Sequence, residues 1–231
     1  TWHSRFQLIR GVFTYPVRTA ETMGSLLTDS SELATQWNIL AAHRRVVGIA
    51  GVDAHAKLEL KNVDPGNNRY SLPIPSYESS FRALSVRVLT TEPLTDDAVS
   101  DSRRIMQAIR NGHLYTVVDG WARPPAFEFS AMNAKGKAKS GEVLAPGGAV
   151  TLRVRSNAPS GFVTTIWKGS QRIVQTRPEN EFTADGGEEP AAYRVEIRDQ
   201  GRPEGPPWII SNPIYVRASE DAPIARPVLA P

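Results

Sequence analysis

The sequence predicts an α/β region over residues 1–120, an all-β sandwich of immunoglobulin-like size over 121–217, and a disordered tail over 218–231. Three observations carry this. The first 120 residues alternate between helical and strand periodicity. The next stretch is a series of short apolar runs punctuated by Gly, Pro and Thr. The last fourteen residues carry three prolines and little that can pack.

Taken in order, residues 29–43 read as a helix. Asp29, Ser30 or Ser31 caps it, and Leu33, Trp37, Leu40 and Ala41 fall on one apolar face. Val46-Val47-Gly48-Ile49-Ala50-Gly51-Val52 is a β-branched run without polar alternation, which suits a buried strand of an α/β fold. A loop rich in Asn, Pro and Gly spans 62–76. Leu84, Val86 and Val88 alternate within a strand over 83–90. Ser100 or Asp101 caps a helix running to Asn111, with Ile105, Ala108 and Ile109 as its core stripe and Gly112 as its stop. Residues 114–118 form another strand. Beyond Gly120, residues 126–131, 149–155, 163–168, 172–176, 193–199 and 208–216 are strand candidates between turn signals such as Gly147-Gly148 and Asp185-Gly186-Gly187.

Composition narrows the function. The chain has 231 residues, enough to bury a sizeable core. It has no cysteine, which excludes a disulfide scaffold, a thiolate zinc site and a cysteine nucleophile. No apolar run reaches the ~18 residues of a membrane span. The formal net charge is only +3, spread over both halves, so no concentrated basic face marks a nucleic-acid binder. The compartment is left open between secreted or periplasmic and cytoplasmic.

Of four histidines, His3, His43 and His113 read as structural, the last two at helix ends. His55 is different. It stands in Gly51-Val52-Asp53-Ala54-His55, where the apolar run ends, and α/β folds bind ligands where strands end. On an extended segment, residues two apart point to the same side. Asp53 and His55 therefore offer a carboxylate oxygen and an imidazole nitrogen together, the donor pair of a divalent metal site. The alternative is an Asp–His hydrogen bond that stabilises a loop.

The passage Val46 to His55 resembles the last metal-binding motif of the PHP (polymerase and histidinol phosphatase) family, most closely its CehA/McbA-type metallohydrolase branch. Val52 stands where that motif usually has serine. Ala108-Ile109-Arg110-Asn111-Gly112-His113-Leu114-Tyr115-Thr116 and the run from Pro207 through Ile209, Asn212 and Tyr215 to Val216 resemble passages that follow the motif in that branch. The resemblance implies a distorted β/α barrel of which residues 1–120 are the C-terminal portion. It also implies two or three divalent metals (Zn, Mn or Fe) activating water against a small-molecule phosphoester or other ester-like bond. Asp53 and His55 are the ligands it assigns here. The family's histidine-x-histidine pair is nowhere in this chain, and two ligands are fewer than the three protein groups a catalytic metal takes. The sequence therefore reads as a C-terminal part of such a hydrolase, silent alone. It expects the missing N-terminal half of the barrel, or a homo-oligomer, to cover exposed edges.

Other features read blandly. Asp96, Asp97 and Asp101 suit a helix N-terminus better than a paired-carboxylate site. Lys135, Lys137 and Lys139 suit a solvated hairpin edge. The runner-up function is a non-catalytic sandwich binding carbohydrate or protein, with Trp121, Trp167 and Trp208 as the stacking candidates.

Overall fold

A computed structural model describes residues 14–29, 31–54, 58–59, 71–72, 74–122, 125–176 and 181–219. Among them are four short helices: α1 (Thr19–Leu26), α2 (Ser31–His43), α3 (Tyr77–Ala83) and α4 (Ala98–Arg110). The rest of the regular structure is strand. β1 (Leu58–Glu59) and β2 (Ser71–Leu72) form a separate ribbon.

An eight-stranded sheet runs β10 (Gln171–Thr176), β9 (Phe162–Lys168), β12 (Ala191–Asp199), β13 (Ile209–Ser211), β4 (Leu114–Val117), β3 (Ser85–Val88). β14 (Ile214–Val216) pairs with β12 and, in parallel, with β7 (Val143–Leu144). A second sheet has the order β11 (Glu181–Gly187), β8 (Val150–Ser156), β5 (Phe127–Asn133), β6 (Gly136–Lys139).

The expected β/α barrel is corrected by these pairings. A barrel of that kind needs parallel strands joined through helices. Here α4 lies between β3 and β4, yet those strands pair antiparallel, Val86 opposite Thr116, and β4 pairs antiparallel with β13. The strands on both sides of Gly120 thus belong to one mostly antiparallel sheet. The fold class is a β-rich pair of sheets with short helices. It is not an α/β portion followed by a separate sandwich.

One hydrophobic core fills the space between the sheets. Alternation along β12 sends Tyr193, Val195 and Ile197 inward, against Ile166 of β9 and Phe129, Leu152 and Val154 of the second sheet, all buried. Phe162 and Trp208 meet edge to face at 5.3 Å. The other face of β12 carries Arg194 and Glu196, and α2 lies over it, with Ala41 against Ala192 and Tyr215.

Several element readings change. The stripe expected on α2 splits, because Ala41 is buried while Leu33 is 69% and Leu40 41% exposed. The cap of α4 is Asp97, whose carboxylate accepts from the Val99 and Ser100 amides. Asn212-Pro213 divides the last apolar run into β13 and β14. α3, β6, β7 and β11 have no counterpart among the expected elements. Residues 45–54 form no strand at all. The expected tail lies outside the described residues from position 220 onward.

Candidate functional site

The segment expected to carry the metal ligands is held by side chains in place of a ladder. Tyr215 of β14 reaches out of the sheet, and its hydroxyl donates to the Val46 carbonyl at 2.9 Å and accepts from the Val46 amide at 3.0 Å. Two residues on, the Asn212 carboxamide accepts from the Gly48 amide at 2.8 Å and donates to the Gly48 carbonyl at 3.1 Å. Asn212 also donates to the Leu114 carbonyl at 3.2 Å, so this buried amide has three partners. Burial pushes the Tyr215 hydroxyl up, against the opposing effect of its bond to Val46 and the nearby Arg217 and Arg45. It therefore keeps its proton and its donor role near neutral pH.

α2 supplies the third hold. The Trp37 indole N–H donates to Val46 O at 3.2 Å, and its ring lies so close to Gly48 that a Cβ there would fall 2.6 Å from Trp37 Cη2. Glycine at 48 is thus a packing requirement. The same lack of a side chain weakens the run as a strand.

At the end of this segment Asp53 is exposed, with φ +47°, in the left-handed region that Asp tolerates. The extended geometry that would aim residues 53 and 55 to one side does not hold at Asp53. His55 lies outside the described residues, as does His3. Among the described residues, no three His, Cys, Asp or Glu side chains group as a metal site.

The donor pair fits a divalent cation in kind, a hard oxygen with an imidazole nitrogen, and supplies two of the usual three protein ligands. His43 sits in the last turn of α2. His113 pairs with Glu142, Nε2 to Oε1 at 3.2 Å.

Beneath α2 runs a buried ionic chain. Arg194 and Glu196 form a short pair, Glu196 Oε2 accepts from Arg198 Nε at 3.0 Å, and Arg198 Nη1 donates to Asp29 Oδ2 at 2.9 Å. Arg194 also lies 5.4 Å from the Trp37 ring centroid and donates to Asn38. Burial alone would raise the Glu196 carboxyl, but the two arginines outweigh it and hold it below its ordinary value. Asp29, weighed as a helix cap from the sequence, instead ties the start of α2 to β12. This network anchors the helix whose Trp37 holds the ligand segment.

A second concavity of about 540 Å³ opens between the starts of α1 and α3, lined by Arg18, Glu21, Ser79, Arg82 and Asp119 among others. Its floor is structural. Asp119 accepts from Ser85 and from Arg87 Nη2, the latter at 2.6 Å. Tyr15 Oη and Ser79 Oγ lie 2.9 Å apart, and Ser79 Oγ donates to Ser76 O within the first turn of α3.

The other sequence candidates resolve into structure. Bonds from the Ser100 hydroxyl and from the Val99 and Ser100 amides lower the Asp97 carboxyl below its ordinary value, and Asp101 accepts from the Thr95 amide. Lys137 and Lys139 project from β6, an edge strand. Trp208 is buried, and Trp37, Trp121 and Trp167 are half-buried, so the described residues present no exposed tryptophan row. The signal missed in the sequence was Asn212-Pro213, a polar break inside an apolar run.

No family model, curated protein or solved structure matches this chain.

Proposed function

We propose that this chain contributes the Asp53–His55 ligand pair to a metal-dependent hydrolase of phosphoesters or related ester-like bonds. The remaining ligands come from a further polypeptide segment, and the chain is inactive alone. The supporting observation is the placement of Asp53. It is an exposed carboxylate on a residue with left-handed φ, at the end of a segment held by Trp37, Asn212 and Tyr215.

Leu33, Ile39 and Leu40 on α2 and Ile49 on the ligand segment are exposed, and apolar side chains of this kind suit cover by that further segment. A bound Zn, Mn or Fe ion would supply Lewis acidity toward the ester. This chain's own part is to supply those two donors.

The test is equilibrium dialysis against Zn²⁺ with metal counted by inductively coupled plasma mass spectrometry. Wild type is expected to take up zinc weakly, at one per chain, and an Asp53→Ala/His55→Ala double variant to lose that uptake. Equal uptake by both would end the proposal.

A further inference from the structure

Two side chains imitate a neighbouring strand. In an antiparallel ladder, alternate residues exchange both an N–H and a C=O with the partner. Val46 and Gly48 are such alternate residues, and each has both groups bonded, but to side chains. The Tyr215 hydroxyl serves Val46 as acceptor at 3.0 Å and donor at 2.9 Å. The Asn212 carboxamide serves Gly48 as acceptor at 2.8 Å and donor at 3.1 Å. A hydroxyl and a carboxamide each offer donor and acceptor together without charge.

Both residues are buried and fixed by the sheet. Tyr215 stands opposite Ala192 on β12, and Asn212 follows β13 and also bonds to Leu114 O of β4. Burying a carboxamide is costly unless its bonds are made, and here two of the three are made to Gly48 and the third to Leu114 of the sheet. That segment ends at the left-handed Asp53.

We propose that Asn212 and Tyr215 are positioning residues, a side-chain clasp that fixes residues 46–48 on the sheet and thereby sets where Asp53 stands. The clasp is a claim about this chain's own order. Its consequence for metal rests on the function proposed above.

The experiment compares wild type with Tyr215→Phe and Asn212→Leu by hydrogen–deuterium exchange mass spectrometry and by Zn²⁺ titration. Tyr215→Phe keeps the ring against Ala41 and removes only the hydroxyl, so it decides the matter if Asn212→Leu fails to fold.

Amide exchange over residues 46–54 is expected to rise at least about tenfold in the variants while exchange in β9 and β12 stays unchanged. Zinc affinity is expected to fall about tenfold, the low end for loss of a group that orients metal ligands. Unchanged exchange over 46–54 in Tyr215→Phe overturns the clasp. Raised exchange with unchanged zinc affinity overturns its role in placing the ligands. If wild type takes no zinc while the variants show the rise in exchange, the clasp stands and the metal function falls.

Discussion

Residues 14–113 and 114–219 use apolar side chains in opposite ways. Among the described residues, the later region contributes twenty-four of the twenty-seven buried hydrophobic residues, and the earlier region only Ala41, Ala83 and Ala108. The exposed large hydrophobics reverse this, with Met132 alone in the later region and thirteen in the earlier one, Phe81 and Leu33 among the most exposed. Alternation in β8, β9 and β12 meets a second sheet across the core, so each inward side chain finds partners. Among the helices of the earlier region, α1 and α3 pack on each other, α2 lies on β12 and α4 meets β3, yet each keeps a large apolar side chain exposed. The later region closes its core between two sheets, whereas the earlier one leaves apolar side chains at the surface.

The comparison breaks most readily at the core. Ile166→Ala, from a fully buried site between the sheets, is expected to cost about 2–5 kcal/mol, measured by urea unfolding. Leu33→Ala on α2 is expected to change stability by less than about 0.5 kcal/mol, despite its larger side chain than Ala. A similar loss at both positions would show that α2 is packed on both faces.

Glu196→Ala tests the seam between the regions. It leaves Arg194 buried without its carboxylate, expected to cost about 3–5 kcal/mol and to release α2, read as loss of exchange protection in residues 31–43. The pH dependence follows from the lowered Glu196 carboxyl. The folded state holds the proton less tightly than the unfolded chain, whose carboxyl titrates near about 4.3. The stabilisation is therefore complete above that value and is lost as pH falls through the folded-state value. In Glu196→Gln the acid limb of the stability profile should flatten; an unchanged limb would mean that other carboxylates set it.

Gly48→Ala should push the ligand segment off Trp37, at about 1–3 kcal/mol for an overpacked contact, seen as a change in Trp fluorescence and in exchange at 46–54. Asp97→Ala is expected to cost about 1 kcal/mol for a lost cap, confined to the first turn of α4. A larger loss there would indicate that Asp97 does more than cap.

How much of this was legible in the sequence depends on which forces decide each element. β5, β8, β9, β10 and β12 are legible as short strands between turn signals, and α2 and α4 as helices, within a few residues, whereas the cap of α4 and the buried face of α2 are not. β3 and β4 are legible as strands, but their antiparallel pairing is not. A helix between two strands invites a parallel crossover, and only long-range pairing of β4 with β13 settles it. Val46 to Val52 misleads because composition favours a buried strand, while two of its three attachments come from residues more than 160 positions away. Hydrogen bonds of that range leave no local periodicity. β11 is hidden for a different reason, since Asp185-Gly186-Gly187 reads as a turn although it ends a strand at a register shift. Of the site, Asp53 and His55 are legible as residue types at a spacing, whereas the holding of their segment by Asn212, Tyr215 and Trp37 is a tertiary fact.

The central claim is that Asp53 and His55 are metal ligands. Long-range ¹H–¹⁵N spectra of the four histidine imidazoles during Zn²⁺ titration test it most directly. The account predicts that the His55 ring nitrogens shift with zinc, that His113, paired with Glu142, does not, and that Asp53→Ala abolishes the His55 shift. A zinc-dependent shift at His113 with His55 unmoved would contradict it.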